Sequence, residues 1–131
     1  MKVKCIYNTG KAYENYRMPV GYSSSSQFGV EIGKEYLVMG MSLWEGSLAY
    51  LIDDGIPHLY PFQLFQIVDS RLFVDWHFRT FGVESQMGAI WGYYELCYSD
   101  GYYENLIEGE DSAVQLYYKK KIEFEKTYLT E

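Results

Sequence analysis

Cysteine and histidine are scarce in this 131-residue chain, which contains two of each. Two cysteines, Cys5 and Cys97, do not make the disulfide framework of a small secreted protein, so we expect both thiols to be free and buried. No apolar run approaches the length of a membrane span. The N-terminus lacks the apolar core of a signal peptide and leads directly into a predicted strand. We therefore expect a cytoplasmic, reduced protein with no membrane partner.

Positive charge is also in short supply. Eleven lysines and arginines face eighteen aspartates and glutamates, which gives a net charge of −7. Nucleic acids and anionic lipids are bound through basic side chains that displace counterions, so neither is an expected partner. The longest basic run, Lys119-Lys120-Lys121, lies in a predicted helix beside Glu123 and Glu125, which is typical of a solvated helix face. The charge favours a basic protein as partner.

The residues that catalysis or metal binding requires do not form a recognisable set. His58 and His77 are the only histidines, and nothing nearby in sequence marks a set of acid, base and nucleophile around either of them. Asp53-Asp54 is typical of a turn, and the acidic run at residues 108–111 is typical of a helix start. The chain has no clustered metal ligands and no glycine-rich phosphate loop. We predict no catalytic residue, no metal and no cofactor, and hence no enzyme.

Tyrosine is abundant, with fifteen in the chain. Its large apolar body and polar tip suit half-buried sheet positions, and they also suit binding surfaces. Hydrophobic residues make up 48% of the chain, which is a globular composition.

Residues 33–68 carry the strongest secondary-structure pattern. Short runs rich in strand-favouring residues alternate with turn signals, of which Asp53-Asp54-Gly55 is the clearest. The segment 42–47 is predicted as a connection with Trp44 near its tip. A first strand at residues 2–7 places Val3 and Cys5 on one face, and a long polar loop follows from residue 11 to about residue 33. The predicted meander strands are residues 36–39, 48–52, 57–60 and 65–68.

The second half of the chain has a different texture. Period-two apolar residues at Leu72, Val74, Trp76 and Phe78 predict a strand over residues 71–78. Residues 89–97 could begin as a strand and end as a helical turn, and periodicity over so few residues does not separate the two. A short helix is predicted over 102–107, stopped at Gly109. A longer helix follows, with a capping box of Ser112 and Gln115 and an apolar face. That face consists of Val114, Tyr117, Tyr118, Ile122 and Phe124.

Taken together, residues 2–68 resemble a small bacterial SH3-like barrel family whose members are mostly uncharacterised. The resemblance rests on KVKCI (2–6), NTG (8–10), GKEYLV (33–38), DDG (53–55), YP (60–61) and LFQIV (64–68). It implies a strongly bent five-stranded barrel with a single 3₁₀ turn at residues 61–64. The predicted fold is therefore α+β: an SH3-like five-stranded β-barrel at 1–69, with an appended strand and C-terminal helices at 70–131 packing on it. The strand at 48–52 lacks the tryptophan that proline-binding SH3 domains use, so proline-peptide recognition is not expected.

The leading functional hypothesis is a non-enzymatic protein-binding module. Acidic and aromatic side chains in loops can steer and anchor a basic partner, as in an immunity-type inhibitor that covers a toxin domain. The candidate partner-binding residues, all in or beside predicted loops, are Tyr13, Tyr16, Trp44, Glu45, Asp53 and Asp54.

Two alternatives remain open. The first is a small-molecule or enzyme-like cleft between the barrel and the C-terminal layer, lined by Trp76, His77, Trp91 and Tyr94. The second is a structural accessory subunit of a phage or secretion system, whose exposed edge strand pairs with a neighbour.

Overall fold

The structure, a computed structural model, describes residues 1–14 and 22–129. Its strands are β1 (Lys2–Cys5), β2 (Glu35–Leu37), β3 (Gly40–Trp44), β4 (Ser47–Asp53), β5 (Pro57–Pro61), β6 (Phe65–Asp69), β7 (His77–Thr80) and β8 (Met87–Gly92). Its helices are α1 (Tyr94–Tyr98), α2 (Tyr102–Ile107) and α3 (Asp111–Leu129), with 3₁₀ turns at Gly10–Tyr13 and Phe62–Leu64. The strands form two antiparallel sheets, one in the order β2-β1-β6 and one in the order β5-β4-β3-β8-β7. The predicted α+β class is confirmed.

The first strand and the meander follow the sequence pattern. Val3 and Cys5 are buried on one face of β1, as predicted. β4 and β5 form a hairpin whose turn contains Gly55 at φ +102°, a conformation that glycine adopts without strain. The 3₁₀ turn before β6 is also where it was expected.

The two sheets are joined by a bend between β2 and β3. Only Val38 and Met39 separate these strands, and their amides donate to Met1 O at 3.0 Å and to Leu51 O at 2.8 Å. The chain thus leaves one sheet and enters the other without a loop. Strand pairing within residues 1–14 and 22–129 gives two open sheets and does not close a barrel.

The connection between β3 and β4 is shorter than predicted. Instead of a loop over 42–47, it is a two-residue turn of Glu45 and Gly46, with φ values of +48° and +81°. Positive φ at both positions is the geometry of a tight hairpin turn whose twist matches the strands. Trp44 is therefore the last residue of β3, opposite Ser47, and not the tip of a loop.

Each face of the five-stranded sheet covers a hydrophobic core. Along β4, Tyr50 and Ile52 point into the core between the two sheets, whereas Leu51 points into the core beneath the helices. Trp76 packs against both cores. β8 pairs with β3, so residues from both halves of the chain share one sheet.

The strand predicted over 71–78 was wrong for most of its length. Residues 71–76 have no strand, and regular pairing begins only at His77 in β7. Val74, a member of the predicted apolar face, is 97% exposed. Phe73, on the opposite parity, is buried and stacks on Phe124 of α3 with ring centroids 4.2 Å apart. Packing against a distant helix has overridden the local period.

The ambiguous segment 89–97 divides at a glycine. β8 ends at Gly92, which has φ +156°, and α1 begins two residues later. Gly92 lies opposite Gly40 in the sheet, and the Leu96 side chain of α1 packs over both glycines. The absence of Cβ atoms there lets the helix approach the sheet closely.

The predicted helices are found, but the cap of the last one differs. α2 ends before Gly109, as expected, because Gly109 has φ +78°. α3 starts at Asp111, two residues earlier than a Ser112 cap would place it. The Glu110 carboxylate accepts hydrogen bonds from Ser112 N at 3.0 Å and Ala113 N at 3.1 Å. Ser112 Oγ donates to that carboxylate instead of capping the helix itself.

Candidate functional site

The predicted partner-binding residues do not lie together. Trp44 and Glu45 are at one end of β4, and Asp53 and Asp54 are at the other. The seven residues of this strand span roughly 20 Å in extended conformation. A single small contact surface therefore does not include both pairs.

Asp53 and Asp54 are already engaged within the chain. Asp53, with a side chain only 10% exposed, accepts from Lys121 Nζ at 2.6 Å and from Tyr118 OH at 3.2 Å. Asp54 accepts from Lys34 Nζ at 2.8 Å, and this hydrogen bond lowers the pKa of Asp54. Both carboxylates stabilise the fold, so a partner would have to compete with these bonds.

Of the two predicted tyrosines, Tyr13 does not provide an exposed anchor. Tyr13 is 3% exposed and stacks on Tyr22 with ring centroids 6.2 Å apart. Burial raises the pKa of Tyr13 to about 12. Tyr16 lies outside the described residues.

Trp44 and Glu45 remain accessible at the end of the sheet. Trp44 is 39% exposed. Glu45 is held by its neighbour across the sheet, since its amide donates to Gln86 O at 2.7 Å and its carboxylate accepts from Gln86 Nε2 at 3.0 Å. Among the predicted partner-binding residues that the structure describes, these two alone are classed as exposed.

The residues predicted to line a cleft face different directions. His77 and Tyr94 meet edge to face at 5.3 Å on the side of the sheet that carries α1. Trp91 is on the other side, where its ring lies 4.7 Å from that of Phe78. Trp76 is between the two cores, and its buried Nε1 has no hydrogen-bond partner in the described part of the chain. These four side chains line no common pocket.

β7, one of the edge strands at which the accessory-subunit hypothesis could place a neighbour, is partly occupied. The carbonyl of Phe78 accepts a hydrogen bond of 2.7 Å from Tyr98 OH. This carbonyl is therefore engaged by α1, which disfavours strand addition at this edge.

The distribution of charge along the chain marks a different surface. Residues 80–118 contain seven carboxylates and no lysine or arginine, and the other eleven carboxylates are matched by the chain's eleven basic residues. The whole net charge of −7 therefore resides in this stretch, which we call the acidic segment. It runs from the end of β7 through β8, α1 and α2 into α3. Its carboxylates are Glu84, Glu95, Asp100, Glu104, Glu108, Glu110 and Asp111.

Five of these carboxylates are exposed and unpaired within the part of the chain that the structure describes. Glu84, Asp100, Glu104, Glu108 and Asp111 are all exposed, and none forms a salt bridge with any of residues 1–14 and 22–129. By contrast, Glu110 is used as the cap of α3. Counting charges along the sequence in windows would have revealed the acidic segment, because the signal is in the composition alone.

Exposed aromatic rings lie in the same segment. Tyr94 and Tyr98, one turn apart on α1, are 54% and 43% exposed. Their rings stack with centroids 5.7 Å apart and planes at 26°. The nearest basic residue in sequence, Arg79, directly precedes the segment and donates from Nη1 to Cys97 O at 3.2 Å. The surface thus combines free carboxylates with ordered tyrosine rings.

Sites of other kinds are not found in the part of the chain that the structure describes. It contains no group of three or more histidine, cysteine or carboxylate side chains that could hold a metal ion. None of its helices has both the length and the apolar character that crossing a membrane requires. Comparisons of the chain with protein-family models, with curated proteins and with solved structures find no match.

Proposed function

We propose that this protein is a non-enzymatic binding module for a basic protein partner. The observation that carries the proposal is the charge distribution: the acidic segment holds the entire net charge, and five of its carboxylates are exposed and unpaired within the described residues. Carboxylates left in solvent contribute little to the stability of the fold. A surface of one sign accelerates encounter with a surface of the opposite sign and repels others.

An immunity-type inhibitor is the concrete form of this proposal. Such a protein would cover the basic active-site surface of a toxin domain, with acidic groups steering the encounter and aromatic side chains anchoring the complex. Tyr94 and Tyr98 supply anchors within the acidic segment, and Trp44 with Glu45 supplies a second exposed pair at the end of the sheet.

We further propose that residues 1–69 form an SH3-like barrel. The support is the order of elements: β2 and β3 are one bent strand shared between two sheets, and a 3₁₀ turn precedes the final strand of this half. β8 adds to the edge of β3 and carries the acidic helices with it. The fold family by itself implies no particular activity.

The test is capture of the partner by paired variants of equal charge. The acidic-segment variant combines Asp100→Asn, Glu104→Gln and Glu108→Gln, and the control combines Glu31→Gln, Glu35→Gln and Asp75→Asn. Every one of these six residues is exposed, and each variant removes three negative charges. Wild type, variant and control are immobilised in parallel and exposed to lysate of the source organism.

We expect one basic protein to be retained by wild type and control, released by raised salt, and lost from the acidic-segment variant. Co-expression should then relieve any growth arrest that the captured protein causes. Retention of the same protein by all three baits would contradict the proposal, because the acidic segment would then not be the contact surface.

A further inference from the structure

We propose that the outward face of α1, formed by Tyr94 and Tyr98, is a binding site for arginine side chains of the basic partner. This inference rests on the proposed function and names the chemistry that the acidic segment recognises. The occupant is a guanidinium group stacked on the exposed ring of Tyr94.

An arginine side chain and aromatic rings already stack in series beside the outward face of α1. The guanidinium of Arg79 lies over the Phe81 ring at 4.7 Å and over the Tyr98 ring at 5.6 Å. Tyr98 in turn stacks on Tyr94. The series ends at Tyr94, whose ring is more than half exposed, and no lysine or arginine among the described residues lies over it. The chain's own arginine thus demonstrates the contact that a partner's arginine would repeat at the open end.

The rings are held in place before any partner arrives. Tyr98 OH donates to Phe78 O at 2.7 Å, which fixes the inner ring against β7. The His77 ring meets Tyr94 edge to face at 5.3 Å and limits the movement of the outer ring. Because these side chains are already ordered, binding loses little conformational entropy.

Arginine fits this surface better than lysine for two reasons. Its guanidinium is planar and weakly hydrated, so it stacks on an aromatic face at a small desolvation cost, whereas an ammonium group is compact and strongly hydrated. Free carboxylates are close in sequence, since Asp100 follows Tyr98 by two residues and Glu104 lies in the next helix. The acidic segment has no basic residue to oppose an incoming cation.

The other strongly exposed tyrosines provide an internal control. Tyr7 and Tyr22 are exposed to a similar degree, but both lie outside the acidic segment. Tyr22 contacts Tyr13 and Phe28, and Tyr7 has no ring contact with the residues at 1–14 and 22–129. Exposure alone therefore does not distinguish Tyr94, and the comparison isolates its surroundings.

The experiment titrates two peptides of equal charge into the full chain at low ionic strength, followed by heteronuclear NMR. The probes are acetyl-RGRGRGR-amide and acetyl-KGKGKGK-amide. Wild type, Tyr94→Leu, Tyr7→Leu and the variant neutralised at Asp100, Glu104 and Glu108 are compared. Leucine keeps the apolar bulk of the side chain and removes the π face, and the spectra themselves report whether each variant is folded.

We expect the arginine peptide to bind wild type roughly two- to fivefold more tightly than the lysine peptide, with the largest shifts at the Tyr94 ring and in α1. Tyr94→Leu should abolish this preference, and Tyr7→Leu should keep it. Equal binding of the two peptides to wild type, or a preference that survives Tyr94→Leu, overturns the inference. In that case the proposed function still stands if the lysine peptide binds wild type and loses affinity when the three carboxylates are neutralised. If neither peptide binds to wild type, the result overturns both this inference and the proposed function.

Discussion

Tyr102 and Tyr117 share the core beneath the helices but differ in what their hydroxyl groups contact. Tyr102 OH donates to Ala113 O at 2.9 Å and also forms a hydrogen bond with Tyr93 OH. Tyr117 is fully buried, and its hydroxyl has no partner among the residues that the structure describes. A buried hydroxyl without a partner has lost its hydration and gained nothing in exchange.

We therefore expect Tyr117→Phe to raise the free energy of unfolding by about 1 kcal/mol. Tyr102→Phe, the matched variant, should lower it by about 1–3 kcal/mol because it removes a hydrogen bond and leaves Tyr93 and Ala113 underpaired. Urea denaturation of the three proteins measures both changes. A loss of stability in Tyr117→Phe would contradict this expectation and would indicate a buried water bound to the hydroxyl.

At the residue scale, the abundance of tyrosine is plain from the sequence, but which tyrosines are buried and which are exposed is not. Tyr93 and Tyr94 are neighbours, yet Tyr93 is buried and Tyr94 is exposed, because α1 begins between them and turns the second ring outward. Tyr13 lies in a stretch that reads as a polar loop, but a 3₁₀ turn buries it. Burial depends on contacts distant in sequence, which composition does not contain.

At the element scale, prediction was reliable where the signal is local. The Asp53-Asp54-Gly55 turn and the strand predicted at 48–52 are determined by adjacent residues, and both were found. The strand expected at 71–78 failed because Phe73 is held by Phe124, fifty-one positions away in the chain. The cap of α3 was misplaced because Glu110 and Ser112 both suit a helix start, and only the geometry selects the glutamate.

The junction of β3, β8 and α1 depends on two facing glycines. A Cβ atom added at Gly40 would lie 2.9 Å from Trp91 O and still closer to the Leu96 side chain. The backbone carbonyl belongs to a paired strand, so it cannot move away without breaking the β3–β8 pairing. This junction attaches the acidic segment to the rest of the molecule.

Gly40→Ala should therefore lower the free energy of unfolding by about 1–3 kcal/mol, the usual cost of overpacking a core. Gly82→Ala is the matched control, because a Cβ atom there meets nothing within 4 Å and its φ is not in the left-handed region. Thermal and urea unfolding of both variants give the comparison. Equal stability of the two variants would contradict this expectation, because the junction of β3, β8 and α1 would then accommodate the added methyl group without strain.

At the scale of the whole molecule, the acidic segment could be predicted from the sequence, but the spatial arrangement of the candidate partner-binding residues could not. Charge along the chain needs no coordinates, and residues 80–118 stand out at once. The patch built from loop residues failed as one surface because β4 separates Trp44 from Asp53 by its full length. Asp53 also forms a salt bridge with Lys121 of α3, and this contact exists only in the folded chain.

The buried tyrosines also determine how the molecule responds to alkali. Burial, the largest cause in each case, raises the pKa of Tyr102 and of Tyr103 to about 12. The pKa of Tyr93 and that of Tyr117 are raised further, again mainly by burial. An unfolded tyrosine loses its proton near pH 10. Above about pH 10 the unfolded state binds fewer protons than the folded state, so the free energy of unfolding falls as the pH rises. Below that pH these tyrosines are protonated in both states and do not affect the stability.

For each of the two deepest hydroxyls, Tyr93 and Tyr117, the loss is about 1.4 kcal/mol per pH unit above pH 10. We expect the core tyrosines to ionise only together with unfolding, so that their tyrosinate absorbance and the loss of circular dichroism rise at one pH. Tyr117→Phe removes one of these protons, and its alkaline midpoint should lie at higher pH than that of wild type. Full tyrosinate absorbance while the circular dichroism remains native would contradict this, because hydroxide would then reach the core hydroxyls of a folded chain.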